Sequence, residues 1–259
     1  MKTRAIAVSI LFVVSCQPRD KTVGEDDPGM QPGECISDLA HEEICDDNED
    51  DDCDGFYDCE DSDCSGVGDC PICGQASLVE GEPLALPDDG TGTSAYVSTI
   101  KIQGFADDQT VQDVGDFKGV CVNMEHTWLR DLQIEMTAPS GAVVTLQQFL
   151  GREGGEVYMG TPNDDDTVDP EPGVGADYCW RPAATNPPML DYCNESGAHD
   201  LPPSDYQASS GWAMLVGSPL NGDWTIRVTD LWSIDNGFIF AWGVTFNANL
   251  VGDCSRPID

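Results

Sequence analysis

Apolar and polar residues alternate along several short runs in the second half of the chain. Leu132, Ile134 and Met136 alternate with Gln133 and Glu135, and Trp224, Ile226 and Val228 alternate with Thr225, Arg227 and Thr229. A period of two is that of a strand with one buried face. Over residues 238–246 the large side chains Phe238, Phe240, Trp242, Val244 and Phe246 fall on one face. Ala241 and Gly243 fall on the other, where a facing sheet or loop can come close. Residues 99–105, 119–124 and 143–149 read as further strands. The turn signals Pro139-Ser140-Gly141, Asn221-Gly222 and Asn236-Gly237 separate these runs, and both glycines after asparagine suit turn positions of positive φ. No run carries a helical stripe. The pattern predicts an all-β domain, a sandwich or barrel, over residues 93–249. Trp224 and Trp242 lie on apolar faces and belong in its core rather than against a ligand. The insert over 151–203 is polar and proline-rich; a bridge between Cys179 and Cys193 is the expected means of pinning it.

The first half reads differently. Lys2 and Arg4 precede an apolar run over 5–14 that is shorter than the roughly 20 residues of a membrane-spanning helix but has the parts of a secretory signal. Val13-Val14-Ser15-Cys16 resembles the lipobox of bacterial lipoproteins, which implies lipidation of Cys16 and a tether to an envelope membrane from outside the cytoplasm. Gln17, where an aspartate would imply retention at an inner membrane, points to the outer membrane or cell surface. The competing reading is an ordinary signal peptide and simple secretion. Residues 1–16 are thus read as signal and lipobox, 17–34 as a flexible tether and 35–73 as an acidic cysteine-rich segment. Residues 74–92 follow as a linker, and 250–259, after the β domain, as a C-terminal tail.

Charge and cysteine usage sharpen this picture. The chain has 48 acidic and 11 basic residues, a formal net charge of -37, which argues against nucleic acid as a partner and for divalent cations. Twelve cysteines in an exported chain point to disulfides. Setting Cys16 aside leaves an odd number, so at least one cysteine is free or paired elsewhere. The segment 35–73 has few large apolar residues, and cross-links and bound metal would have to order it.

Between Thr22 and Cys70 there are 19 acidic residues and no lysine or arginine. Aligned with the twelve-position calcium loop, Asp50, Asp52 and Asp54 take positions 1, 3 and 5, with Gly55 at the turn. Phe56 then offers its carbonyl, and Asp58 and Asp61 follow at positions 9 and 12. Alternate acids turn oxygens inward while the glycine lets the chain wrap round an ion. No helix-forming sequence flanks the loop, so it reads as a cysteine-stapled calcium loop without a hand. The competing readings are a solubilising spacer, and zinc through Cys59, Cys64, Cys70 and Cys73.

Three blocks of the β domain, His126 to Gly141, Pro219 to Asp230 and Asp235 to Phe246, resemble the P domain that accompanies proprotein convertases and bacterial secreted proteases. The resemblance implies a jelly-roll-like β-sandwich with a structural role beside catalytic domains, often with calcium. In this domain Asp131, Asp230 and Asp235, with Asp165 and Asp166 of the insert, are the candidate ligands of a second calcium site. The histidines are His41, His126 and His199, with no His-Glu-x-x-His pair and no Gly-x-Ser-x-Gly elbow. His126 sits in a non-catalytic block, where a loop-fixing hydrogen bond is expected. The reading that follows is a non-catalytic, calcium-binding accessory or binding lipoprotein whose partner is a surface protein or glycan. The alternatives are a structural envelope protein without a discrete ligand, and an accessory or inhibitory partner of a separate secreted protease.

Overall fold

The computed structural model describes Cys35, Ser37, residues 39–89, 91–151, 153–163 and 170–256, and Ile258. The signal and lipobox with Cys16, the tether, and Asp165 and Asp166 lie outside the described residues. The chain divides into two units, Met1–Ile36 and Ser37–Asp259; all that follows concerns the second.

Its strands are β1 (Gln75–Ala85), β2 (Tyr96–Ile102), β3 (Phe117–His126), β4 (Leu132–Thr137), β5 (Val143–Gln147), β6 (Tyr158–Met159) and β7 (Ala176–Trp180). After helix α1 (Met189–Ser196) come β8 (Asp200–Leu201), β9 (Asp205–Tyr206), β10 (Gly222–Asp230) and β11 (Gly237–Phe246). One sheet runs β2-β10-β4-β5 and the other β1-β11-β3-β6-β8, with β7 also on β3 and β9 on β7. The two short parallel pairings are β6 with β8 and β7 with β9; the rest are antiparallel. The result is an all-β sandwich of two sheets, one of the two forms that the alternation predicts and the jelly-roll-like form that the resemblance implies.

Leu132, Ile134 and Met136 of β4 and Trp224, Ile226 and Val228 of β10 all point into the core. There Phe117 stacks on Trp224 at 5.7 Å, and Phe246 meets Trp224 edge-on at 5.2 Å. Both indole N–H groups are satisfied: Trp224 Nε1 donates to Leu220 O at 3.0 Å and Trp242 Nε1 to Ser98 Oγ at 2.9 Å.

The alternation predicted for β11 breaks at its middle. Its register against β3 shifts between Ile239 and Ala241. One extra residue in a strand flips every later side chain to the other face. Ile239 is therefore fully buried while Phe240 is only half-buried. Gly222 has the expected positive φ of +127°; Gly237 does not, and is required instead by close approach, since a Cβ there would stand 2.3 Å from His126 Cδ2.

Three further segments differ from expectation. The expected linker over 74–92 supplies β1, an edge strand whose Glu80-Gly81-Glu82-Pro83 stretch falls in a register irregularity and hides the period. Proline is tolerated at such an edge. The expected tail is fastened: Cys254 bonds Cys73, and Gln103 N donates to Ile258 O at 2.7 Å. The insert contains α1, which closes on Gly197 in the left-handed region. At eight residues it is too short to show a stripe.

The expected Cys179–Cys193 bridge is wrong. Cys179 bonds Cys121, its direct cross-strand neighbour on β3, while Cys193 is buried on α1 and is the free thiol among the described residues. The insert is pinned through β7 to the main sheet rather than to itself. Pairing into the sheet set the partner, and that is a long-range contact.

Candidate metal centre

Residues 39–73 contain two short 3-10 turns, Asp58–Glu60 and Ser62–Cys64, and no strand. Disulfides Cys45–Cys64 and Cys59–Cys70 cross-link the segment, and Cys73–Cys254 ties it to the sandwich. Cys53 is also disulfide-bonded. With Cys59, Cys64, Cys70 and Cys73 all oxidised, no thiolate set for zinc remains there.

The loop is shaped by its own carboxylates. Asp54 N donates to Asp52 Oδ1 at 3.2 Å, Phe56 N to Asp54 Oδ1 at 2.9 Å, and Asp63 N to Asp61 Oδ1 at 2.6 Å. These are side chain-to-backbone turns of the kind aspartate forms readily. Gly55 N donates to Asp50 Oδ2 at 3.1 Å, and Gly55 takes φ +98°, a conformation glycine adopts without steric cost. Each of the four loop acids thus spends an oxygen on the loop backbone. What remains of each carboxylate is held in a fixed place.

Those acids converge. Glu42, Asp50 and Asp52 bring carboxylate oxygens within 4.8 Å of one another, and so do Asp52, Asp54 and Asp61. Asp52 belongs to both groups. A third group, Asp47, Glu49 and Asp51, lies beside them. Asp61 is 1% exposed, and its Oδ2 has no hydrogen-bond partner among the described residues. Burial pushes the Asp61 carboxyl above its usual range, and the charges of Asp54, Asp63 and Asp52 push the same way against its bond from Asp63 N. Glu42 is raised likewise, by burial first and then by Asp51 and Asp61, although Asp51 N and Asp58 N donate to it at 2.8 and 3.4 Å. Carboxylates held together, with Glu42 and Asp61 buried, Asp50 and Asp52 half-buried and Asp54 exposed, are a donor set for a hard cation, which takes six to eight oxygens. These clusters could hold a metal ion.

Of the loop residues singled out in the sequence, Asp50, Asp52, Asp54 and Asp61 meet in these groups. Asp58 does not: both its oxygens accept from Asn48 N, at 3.1 and 3.2 Å, and brace the preceding turn. Phe56, expected to offer its backbone carbonyl, has an exposed side chain. Glu42 joins the group of Asp50 and Asp52 instead. It lies outside the twelve-position loop, and nothing in the local sequence separates it from Glu43.

The second proposed site fares differently. Among the described residues Asp131, Asp230 and Asp235 form no converging group. Asp230 is fully buried: its Oδ2 lies 3.2 Å from His126 Nε2, and its Oδ1 accepts from Trp232 N at 3.1 Å. His126 Nδ1 accepts from Trp128 N at 2.9 Å, so Nε2 carries the proton that Asp230 receives. Both ring nitrogens are committed to holding loops, as expected of that block. The acid that does approach Asp230 and Asp235 is Asp88, which accepts from Ile234 N at 2.8 Å. Burial raises its carboxyl first, and the two aspartates add to the shift.

Residues 118–166 match the sequence model of the Proprotein convertase P-domain family, a non-catalytic accessory domain. The match starts within β3 and runs through β4, β5 and β6. No curated protein matches the chain. Two solved structures of the Aeromonas sobria serine protease, one of them in complex with the chaperone ORF2, share 15% identity with it. They cover 68% of this chain and 28% of their own, with TM-scores of 0.29 and 0.30. The chain thus spans under a third of those proteins, and at such TM-scores the likeness decides nothing further.

Proposed function

We propose that this protein, whose sandwich carries the P-domain match, is a non-catalytic, calcium-binding accessory or binding lipoprotein displayed on a bacterial envelope. The lipobox-like sequence at Cys16 supports the anchor, and the buried, doubly bonded His126 supports the absence of catalysis. The observation that carries the calcium reading is Asp61: a carboxyl oxygen enclosed without a partner, beside two other acids that share its cluster. A divalent cation turns that repulsion into coordination and couples order in residues 39–73 to binding. Calcium is preferred because every donor is an oxygen and the loop closes on glycine. The cysteine-rich segment is then a calcium-stiffened spacer that holds the sandwich away from the membrane.

Calorimetric titration of the mature protein with calcium, paired with thermal melts in calcium and in chelator, tests this. At least one saturable site and a higher melting temperature in calcium are expected, because a ligand of the folded state stabilises it. Identical melts and no saturable heat overturn the reading. The P-domain match favours one more specific role, that of accessory partner to a separately encoded secreted protease. Co-purification of such a protease from cell envelopes, lost in chelator, is its test.

A further inference from the structure

Arg130 lies in the 3-10 turn Leu129–Asp131 that leads into β4, and it is only 6% exposed. Its Nε donates to Gly155 O at 2.9 Å and its Nη2 to Asn194 Oδ1 of α1 at 2.8 Å. Both acceptors are neutral. Among the described residues no carboxylate pairs with the guanidinium; the ion pairs there are His126–Asp230, Arg181–Asp205 and Arg256–Asp253. In a chain with 48 acidic residues, this is the opposite of what chance proximity would give. A buried charge without an ion-pair partner is costly, and Glu156, which lines the same cavity, forms no ion pair with it. The C-terminal end of α1 offers at most about half an elementary charge against it.

The same guanidinium lines a cavity of about 200 Å³, together with Asn194, His199, Glu156 and Cys193. Gly154 closes over one face of it: a Cβ there would stand 2.6 Å from Arg130 Cζ. Glu156 accepts from the hydroxyl of Tyr158 at 3.3 Å. The Cys193 thiol is pushed up to about 11 by burial, against the pull of Arg130, and stays neutral. No nucleophile is on offer, and the cavity has room for only a small group.

We propose that this cavity is a carboxylate-binding subsite, with Arg130 as its anion ligand and Asn194 as the residue that holds the guanidinium in place. A planar guanidinium meets a carboxylate through two parallel N–H bonds, and Nη1 has no partner among the described residues. The ligand is a peptide carboxylate, either a free C-terminus or an acidic side chain. The subsite does not depend on the metal reading.

The test is an NMR titration of the full mature chain at constant ionic strength and pH. The probes are N-acetylalanine for a free C-terminus, N-acetylaspartate α-amide for a side chain, and N-acetylalanine amide as the uncharged control. Saturable shifts of the Arg130 Nε–H and Asn194 side-chain signals with either acid, and none with the amide, are expected. Arg130→Met should weaken binding at least tenfold and Asn194→Ala severalfold, with calcium binding unchanged in both. Whichever acid binds more tightly identifies the source of the carboxylate. No saturable shift in the unmodified protein, an equal response to chloride, or full binding by Arg130→Met overturns the proposal. Should Arg130→Met not fold, the unmodified protein and Asn194→Ala still decide it.

Discussion

The two regions of this molecule are built from opposite interiors. The sandwich encloses Trp180, Trp224, Trp242, Phe117 and Phe246 and buries few charged groups, Glu125, His126, Arg130, Asp131 and Asp230 among the described residues. Residues 39–73 enclose Cys64, Cys70, Glu42, Asp51 and Asp61, while Leu39, Ile44, Phe56, Tyr57, Val67 and Ile72 remain exposed. Hydrophobic burial, at roughly 25 cal/mol per Å² of apolar surface, can hold the first together. It cannot hold the second, whose buried groups are sulfur and carboxylate. Apolar burial stabilises the first region; the second has stability to gain from a cross-link or a cation. The comparison can be broken on either side.

The largest effect should come from the sandwich core. Trp224→Ala removes a fully buried indole that Phe117 and Phe246 pack against. Loss of such a side chain costs about 3–5 kcal/mol, and denaturant unfolding followed by near-ultraviolet dichroism should show it. The calcium increment in melting temperature should persist in this variant while the baseline falls. If the increment vanished with the core, the two regions would be a single cooperative unit and the contrast would fail.

Next comes the junction. Cys254→Ser removes the bridge that closes 181 residues between Cys73 and the C-terminus. Native disulfides of small secreted domains contribute about 2–5 kcal/mol. Most of the loss should appear at the sandwich edge where β1 begins, since Phe246 N donates to Gly74 O right beside the bridge. Hydrogen exchange along β1 and β11 reports it.

How much of this was legible depends on the distance over which each feature is decided. β4 and β10 follow their alternation because each is a regular strand with one buried face. The convergence of the four loop acids follows from their spacing, which sets their direction locally; that they hold a metal belongs to the proposed function. Glu42 was not legible, because it reaches the cluster through the fold of the cross-linked segment. Neither was the Cys121–Cys179 bond, which depends on β7 pairing with β3. β1 was hidden by its own polar, proline-bearing irregularity. The bulge at Phe240 could have been suspected only from the small residues that follow it.

Substitution within the acidic loop should give an effect whose sign depends on the cation. Asp52→Asn alters the one residue shared by two acid groups, and Asp61→Asn neutralises the enclosed oxygen. With calcium present, either should reduce affinity at least tenfold, which is about 1.4 kcal/mol. In chelator both should raise the melting temperature, because a repelled carboxylate becomes a neutral amide. Asp58→Asn should leave affinity nearly unchanged, since Asp58 braces the Asn48 turn and joins none of the acid groups. Calorimetry on the three variants separates coordination from bulk charge; equal losses in all three would show that only net charge matters.

The smallest effect is the response to pH, and it divides the two regions most sharply. Glu42 and Asp61 have carboxyls raised above their ordinary values of 4.5 and 3.8. A carboxyl raised in the folded state binds its proton more tightly there than in the unfolded chain. Its contribution to stability is therefore fully present below the ordinary carboxylate range and is lost as pH rises through the higher folded value. In chelator, residues 39–73 should become more protected from hydrogen exchange as pH falls from neutrality toward that range, before general acid unfolding sets in. Calcium should invert the slope, because it binds the ionised carboxylates and competes with the protons. Amides of β4 and β10 in the sandwich core, where apolar burial supplies the stability, should show no such inversion. If chelator and calcium gave the same slope in residues 39–73, the carboxylates would be answered by water and loose salt, and the acidic segment would be a spacer held by its disulfides alone.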